Sequence, residues 1–219
     1  MKLEKGCKLV MIGDSITDCG RKHPYGEGLF EGVGKGYVAL VDALLQASYP
    51  ELAIRCINMG NSGNTVRDLK ERWKTDVVDL QPDWLSIMIG INDVWRHFDE
   101  PNITESHISL REYETTLLEL VEQVKPDGKG LVLMTPFLIE ANADDAMRKK
   151  MDEYGLAVKR VAEQVEAIFV DIQGAFNKLL DYYYSATFAA DRVHPNMTGH
   201  MAIARAFLNA VDYDWARNR

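Results

Sequence analysis

The sequence predicts an α/β protein, a three-layer α/β/α sandwich built on a doubly wound, five-stranded parallel sheet. Three observations carry that prediction. Short apolar runs recur along the chain without the polar alternation of a half-exposed strand. Longer segments of helical period separate them. Clusters of Gly, Asn, Asp and Ser follow the runs, where open α/β sheets place their ligand-binding turns. At 219 residues the chain fits one domain with a sizeable core. Residues 1–219 are read as a single unit without internal repeat, low-complexity tract or linker.

The elements follow in order. Lys8–Ile12 is the first strand, closed by Gly13-Asp14-Ser15-Ile16-Thr17. Residues 20 to 36, with six glycines and Tyr25 and Phe30, read as a mobile flap. Those glycines do not open a helix in the register of a dinucleotide fingerprint. Tyr37, Val38, Val41, Leu44 and Leu45 line one helix face. Ala53–Asn58 is the second strand, followed by Gly60-Asn61-Ser62-Gly63-Asn64-Thr65, and Trp84–Ile89 is the third, followed by Gly90-Ile91-Asn92-Asp93. Leu110, Tyr113, Leu117, Leu120 and Val124 step by three and four, as do Met151, Tyr154, Val158, Val161 and Val165. Leu131–Thr135 and Ile168–Asp171 supply strands four and five, and a final helix begins after Asn196. The tract Asp181-Tyr182-Tyr183-Tyr184 is assigned to core packing, with a pocket lining or a subunit contact as alternatives, and His23, His97 and His107 to solvent.

A net charge of −8 with 47% hydrophobic residues fits an ordinary globular protein and argues against nucleic acid or an anionic membrane surface, which want basic patches. No stretch approaches the roughly 20 apolar residues of a membrane span. The N-terminus lacks the pattern of a secretory signal. Three cysteines, odd in number and without metal-site spacing, point to a reducing cytoplasm. No cofactor is called for. No metal is expected either, since the carboxylates flanking Ser15 lack a histidine at ligand spacing.

Ser15, in a turn straight after a buried strand, is a candidate nucleophile if a base can reach it. Gly-Asp-Ser is also ordinary N-cap chemistry. A nucleophilic serine needs a neutral imidazole held by a carboxylate, and Asp191-Arg192-Val193-His194-Pro195 offers both within one loop. The plainer reading makes Asp191 a helix cap and His194 a surface histidine. His200 competes as base but lacks an acid three or four positions away. Gly60 lets a backbone N–H approach a reacting oxygen, or it simply opens a connection whose Asn64 or Thr65 caps the next helix. Asn92 can donate a side-chain amide to an oxyanion, or sit in an Asn-Asp turn.

Taken together, Ser15 in Gly-Asp-Ser, Gly60, Asn92 in Gly-x-Asn-Asp and His194 in Asp-x-x-His-Pro resemble the four-block pattern of the SGNH (GDSL-type) hydrolases, whose fold is flavodoxin-like. The blocks span residues 13 to 195. The resemblance implies a serine esterase with Ser15, His194 and Asp191 as triad. Its oxyanion hole would use the Ser15 N–H, the Gly60 N–H and the Asn92 side chain. Residues 12–21, 62–69 and 87–95 look like the intracellular acetylxylan esterases of that superfamily. That likeness implies deacetylation of xylo-oligosaccharides by a cytoplasmic homo-oligomer. Asp14, Asn64 and Trp95 are the expected substrate contacts, with packing an equal alternative for Trp95. Another acyl specificity (a thioesterase or lysophospholipase) fits the same four blocks. A flavin- or phosphate-binding module is the alternative from another class.

Overall fold

Leu9, Val10, Met11 and Ile12 have no solvent exposure, because the strand they form, β1 (Lys8–Gly13), lies inside the sheet with a layer of helices on each face. The computed structural model describes residues 1–124 and 130–217. Five parallel strands, β1, β2 (Arg55–Gly60), β3 (Trp84–Met88), β4 (Gly130–Met134) and β5 (Ile168–Val170), stand in the order β2-β1-β3-β4-β5. The expected three-layer, doubly wound sheet is therefore what the chain forms.

Parallel strands need crossovers, and these are right-handed. The chain moves from β1 to β2 in one direction and from β2 past β1 to β3 in the other. That reversal sends the helices to opposite faces. α2 (Tyr37–Ser48) packs against the last helix, α8 (Met197–Ala210), whereas α3 (Val66–Trp73), α5 (Leu110–Glu122) and α6 (Ala146–Val165) pack together. The order reverses between the carboxyl ends of β1 and β3, where a crevice opens for ligands. Two short elements begin there: α1 (Ser15–Asp18) after β1, and α4 (Ile91–Asp99) after β3. α7 (Ile172–Leu180) follows β5.

The predicted stripes form the core. Met151, Tyr154, Val158, Val161 and Val165 of α6 are all buried, as are Tyr113, Leu117 and Leu120 of α5 and Tyr37, Val38, Val41 and Leu45 of α2. Buried hydroxyls find partners: Tyr113 Oη donates to the Ile89 carbonyl at 2.9 Å and Tyr154 Oη to that of Ile108 at 2.5 Å.

Several local expectations change. Gly90-Ile91-Asn92-Asp93 is not a free turn; Gly90, at φ +125°, precedes α4 and puts Asn92 in its first turn. The glycine-rich flap is anchored, since Gly26 pairs antiparallel with Asn58 on β2 and Arg21 is buried beneath it. His97 and His107 lie against each other, centroids 4.4 Å apart and rings tilted by 30°, each bonded through Nε2 to a backbone carbonyl. The tyrosine tract is outside the core, with Tyr184 89% exposed.

Candidate active site

Ser15 is the first residue of α1, a single turn set on the end of the sheet. Asp14 caps it, its Oδ1 accepting the Ile16 N–H at 3.0 Å. The turn can sit so close because two glycines are paired in register beneath it, Gly13 on β1 and Gly60 on β2. A Cβ on Gly60 would lie 2.1 Å from the Asp18 nitrogen, and one on Gly13 2.4 Å from Thr17 Oγ1. Close approach, not turn formation, is what demands glycine at both positions. Asn58 locks the joint: its buried Nδ2 donates to the carbonyls of Thr17 (2.6 Å) and Val33 (2.9 Å).

The Ser15 hydroxyl lies 2.9 Å from His194 Nε2. His194 Nδ1 lies 2.6 Å from Asp191 Oδ2, while Asp191 Oδ1 accepts the N–H groups of Val193 (2.9 Å) and His194 (2.8 Å). One carboxylate thus closes the turn and orients the ring. Nδ1 carries the proton, leaving the Nε2 lone pair for the serine. Burial pushes the Asp191 pKa up, but the His194 ring and the two N–H groups outweigh it and hold the carboxyl below its ordinary range. The loop is fixed at both ends, by Val193 in the core and by the Asn196 N–H bonded to the Phe188 carbonyl at 2.7 Å.

His200 is no rival. Its Nδ1 accepts the Tyr37 N–H at 3.2 Å, so its proton is on Nε2, which faces Cys19 Sγ at 3.5 Å. Burial, and then the neighbouring His194, lowers its pKa to about 4. The Cys19 thiol is itself pushed up by burial, which disfavours a thiolate nucleophile.

The structure corrects the expectation for Gly60. Its N–H is donated to Asn58 Oδ1 at 2.8 Å and is not available to an oxyanion. Gly63, in the same block, has φ +83°, open space around it and an N–H without a partner among the described residues. Its neighbours fix it between the two other expected donors. Ser62 donates from N (3.1 Å) and Oγ (2.9 Å) to Asp18 Oδ2 at the end of α1. The Asn64 carbonyl accepts Asn92 Nδ2 at 2.9 Å. That bond uses one of the two Asn92 amide protons and leaves the other, while Arg96 holds Asn92 Oδ1 at 3.3 Å. The signal in the sequence was the Ser-Gly turn dipeptide at 62–63.

One of the three expected substrate contacts is also corrected. Asp14 is completely buried and cannot touch a substrate. Burial raises its pKa to about 7, against the bond from Ile16 and the charge of His194. Asn64 is a brace, its Oδ1 accepting Arg72 Nε at 2.6 Å and its carbonyl engaged by Asn92. The same Arg72 donates to the carbonyls of Met59 (2.7 Å) and Gly13 (2.9 Å), tying the ends of β2 and β1 to this loop. Sequence reasoning missed Arg72, because nothing local marks a helix arginine that bonds across the sheet ends. Trp95 is half-buried, its ring centroid 5.9 Å from that of His194, beside the reacting groups. Among the described residues no three His, Cys, Asp or Glu side chains converge to hold a metal.

A serine hydroxyl facing an imidazole that is backed by a carboxylate, at the switch point of a doubly wound sheet, is the apparatus of a serine esterase. The family model for GDSL-like lipases and acylhydrolases matches residues 11–202, and the chain belongs to that family. Membership sets aside the reading as a non-catalytic binding module. An acetylxylan esterase of Geobacillus stearothermophilus is 58% identical over 219 residues, all of both chains. The crystal structure of that organism's Axe2, an acetylxylan esterase, matches with a TM-score of 0.98 at 58% identity and full coverage of both chains. LAE5, an α/β hydrolase enzyme from the metagenome of Lake Arreo, matches with a TM-score of 0.96 at 54% identity, covering 97% of this chain and 98% of its own. Solved structures of Axe2 include catalytic mutants S15A, D191A and H194A, and this chain carries the same residue types at those numbers.

Proposed function

We propose that this chain removes acetyl groups from acetylated xylo-oligosaccharides through an acyl-enzyme on Ser15. The observation that carries the mechanism is the relay of 2.9 Å from Ser15 Oγ to His194 Nε2 and 2.6 Å from His194 Nδ1 to Asp191 Oδ2. His194 takes the serine proton as Oγ attacks the ester carbonyl, and Asp191 stabilises the imidazolium that forms. The oxyanion is met by the Ser15 N–H, the Gly63 N–H and the second Asn92 Nδ2 proton, all held before the reaction begins. His194 then protonates the departing sugar hydroxyl. Water, deprotonated by the same imidazole, releases acetate and restores the serine. Trp95 supplies an apolar face for the sugar ring beside His194.

The substrate rests on the relative at 58% identity over the whole chain, one structure of which is described as an acetyl-xylooligosaccharide esterase. The same reading takes residues 1–219 as a single domain acting in the cytoplasm as a homo-oligomer. Free Cys7, Cys19 and Cys56 suit a reducing compartment, and exposed Tyr182, Tyr183 and Tyr184 suit a subunit contact.

Acetate release from acetylated xylo-oligosaccharides, by wild type and Ser15→Ala, with long-chain acyl esters in parallel, tests the proposal. Release by wild type alone, with long chains ignored, is expected. Activity only on long chains would overturn the substrate, and near wild-type turnover by Ser15→Ala would overturn the mechanism.

A further inference from the structure

Between the carboxylate of the relay, Asp191, and its imidazole, His194, stands a residue whose backbone its own side chain disfavours. Arg192 has φ +66°, the left-handed region where glycine is at ease and a residue with a Cβ is strained. Asp191 Oδ1 collects the N–H groups of Val193 and His194, two and three residues on, and the chain must turn left-handed at 192 to deliver them. Strain kept at such a point calls for a compensating contact. The guanidinium makes one: Nη1 lies 2.9 Å from Glu140 Oε2 and 3.1 Å from Asp145 Oδ2. The Arg192 carbonyl also accepts the Ile139 N–H at 2.8 Å.

Both carboxylates are themselves held. Asp145 caps the 20-residue α6 through Oδ1, which accepts the Arg148 N–H at 3.0 Å. The nearly buried Arg148 returns Nη1 to the Glu140 carbonyl at 2.6 Å. Glu140 is fixed further by accepting the Asn142 N–H on Oε1 at 2.8 Å. The anchor therefore runs from the acid–base turn, through two carboxylates, into the longest helix of the molecule.

We infer that Arg192 is a positioning residue: gripped by Glu140 and Asp145, it holds the Asp191–His194 turn in register with Ser15. The inference rests on the triad assigned above. It gives a role to a residue outside the relay itself, and it explains why arginine occupies a position that suits glycine. A one-ångström misplacement of a reacting group costs up to about 100-fold in rate. Loosening one side of this turn is expected to cost about tenfold.

The test compares wild type with Arg192→Gly, Arg192→Lys and the double variant Glu140→Gln/Asp145→Asn. Arg192→Gly removes the clamp and relieves the backbone, so its Tm is expected to hold or rise. Its kcat on acetylated xylo-oligosaccharides is expected to fall about tenfold, with KM within about twofold. The proton NMR signal of His194 Nδ1–H against Asp191 is expected to broaden or vanish. Arg192→Lys should recover part of the loss by bonding one carboxylate. The double variant, with arginine retained, should reproduce the loss. Unchanged kcat and an unchanged proton signal in Arg192→Gly would overturn the clamp, as would a loss of kcat that tracks loss of Tm across all variants. Failure of the triad itself shows differently, as wild type that does not hydrolyse esters or does so without Ser15. The proton signal then still decides whether Arg192 holds the turn. Should Arg192→Gly fold poorly, the double variant decides by the same readouts.

Discussion

Replacing Asp93 by Asn removes one of two buried carboxyls beneath the site, and the expected result is a fold whose stability depends less on pH. Asp93 has no solvent exposure; its Oδ1 accepts the Val66 N–H at 3.0 Å, and its Oδ2 has no partner among the described residues. Burial, joined by the charges of Asp14 and Asp68, raises its pKa from 3.8 to about 7 against that bond. The folded-state pKa lies above the unfolded one, so the fold prefers the protonated acid. Its contribution is intact below pH 3.8 and is lost as pH rises to about 7. At about 1.4 kcal/mol per pH unit, the whole window is worth about 4 kcal/mol, and the part between pH 5 and 8 about 3 kcal/mol. Asn cannot ionise, keeps an acceptor for Val66, and removes one of the charges facing Asp14. Urea unfolding of both proteins at pH 5 and pH 8 measures the effect. The difference in unfolding free energy should move in favour of Asp93→Asn by about 3 kcal/mol between the two pH values. Equal pH dependence in the two proteins would refute the argument that this carboxyl is forced to ionise inside the fold.

Two more outcomes follow from the site. Asn92→Ala should lower kcat by roughly 100- to 1000-fold, the usual effect of losing one oxyanion donor, with little change in KM; initial rates over a range of ester concentrations check it. Asn58→Leu strands the carbonyls of Thr17 and Val33 and the N–H of Gly60. At about 1–3 kcal/mol per buried unpaired group, the fold should lose on the order of 3–9 kcal/mol in urea unfolding. A loss under about 1 kcal/mol would mean the joint between α1 and β2 reorganises.

Patterns that repeat along the chain were legible before any coordinates. The apolar runs gave all five strands to within a residue or two, and the stripe from Met151 to Val165 lies entirely in the core. Ser15, Asp191 and His194 were legible because the chemistry of each is marked locally, by a turn after a strand or by an acid three residues before an imidazole. Gly60 and Gly63 were not separable in that way. Which N–H is spare depends on Asn58 folding its side chain back over Gly60, a contact between a strand end and its own loop that no spacing rule encodes. Asp14 looked like a polar residue in an exposed turn, but the close seat of α1 on paired glycines buries it. The bonds from Arg72 to Met59, Gly13 and Asn64 span up to 59 residues of sequence and exist only once the sheet has formed.

The turn that holds both Asp191 and His194 divides the relay unequally. One link, 2.6 Å long, joins residues three apart; the other, 2.9 Å long, joins residues 179 apart. The acid and base therefore travel as a single cassette: a movement of the loop as a rigid unit leaves their mutual geometry intact and changes one length, whereas loosening the turn from within disturbs both links. Everything folded between residues 16 and 190 has, for the purpose of proton transfer, a single output: where that cassette lands. Surface loops in the interval that carry neither an oxyanion donor nor an anchor of that turn are free to lengthen, shorten or acquire new side chains so long as that landing point is kept.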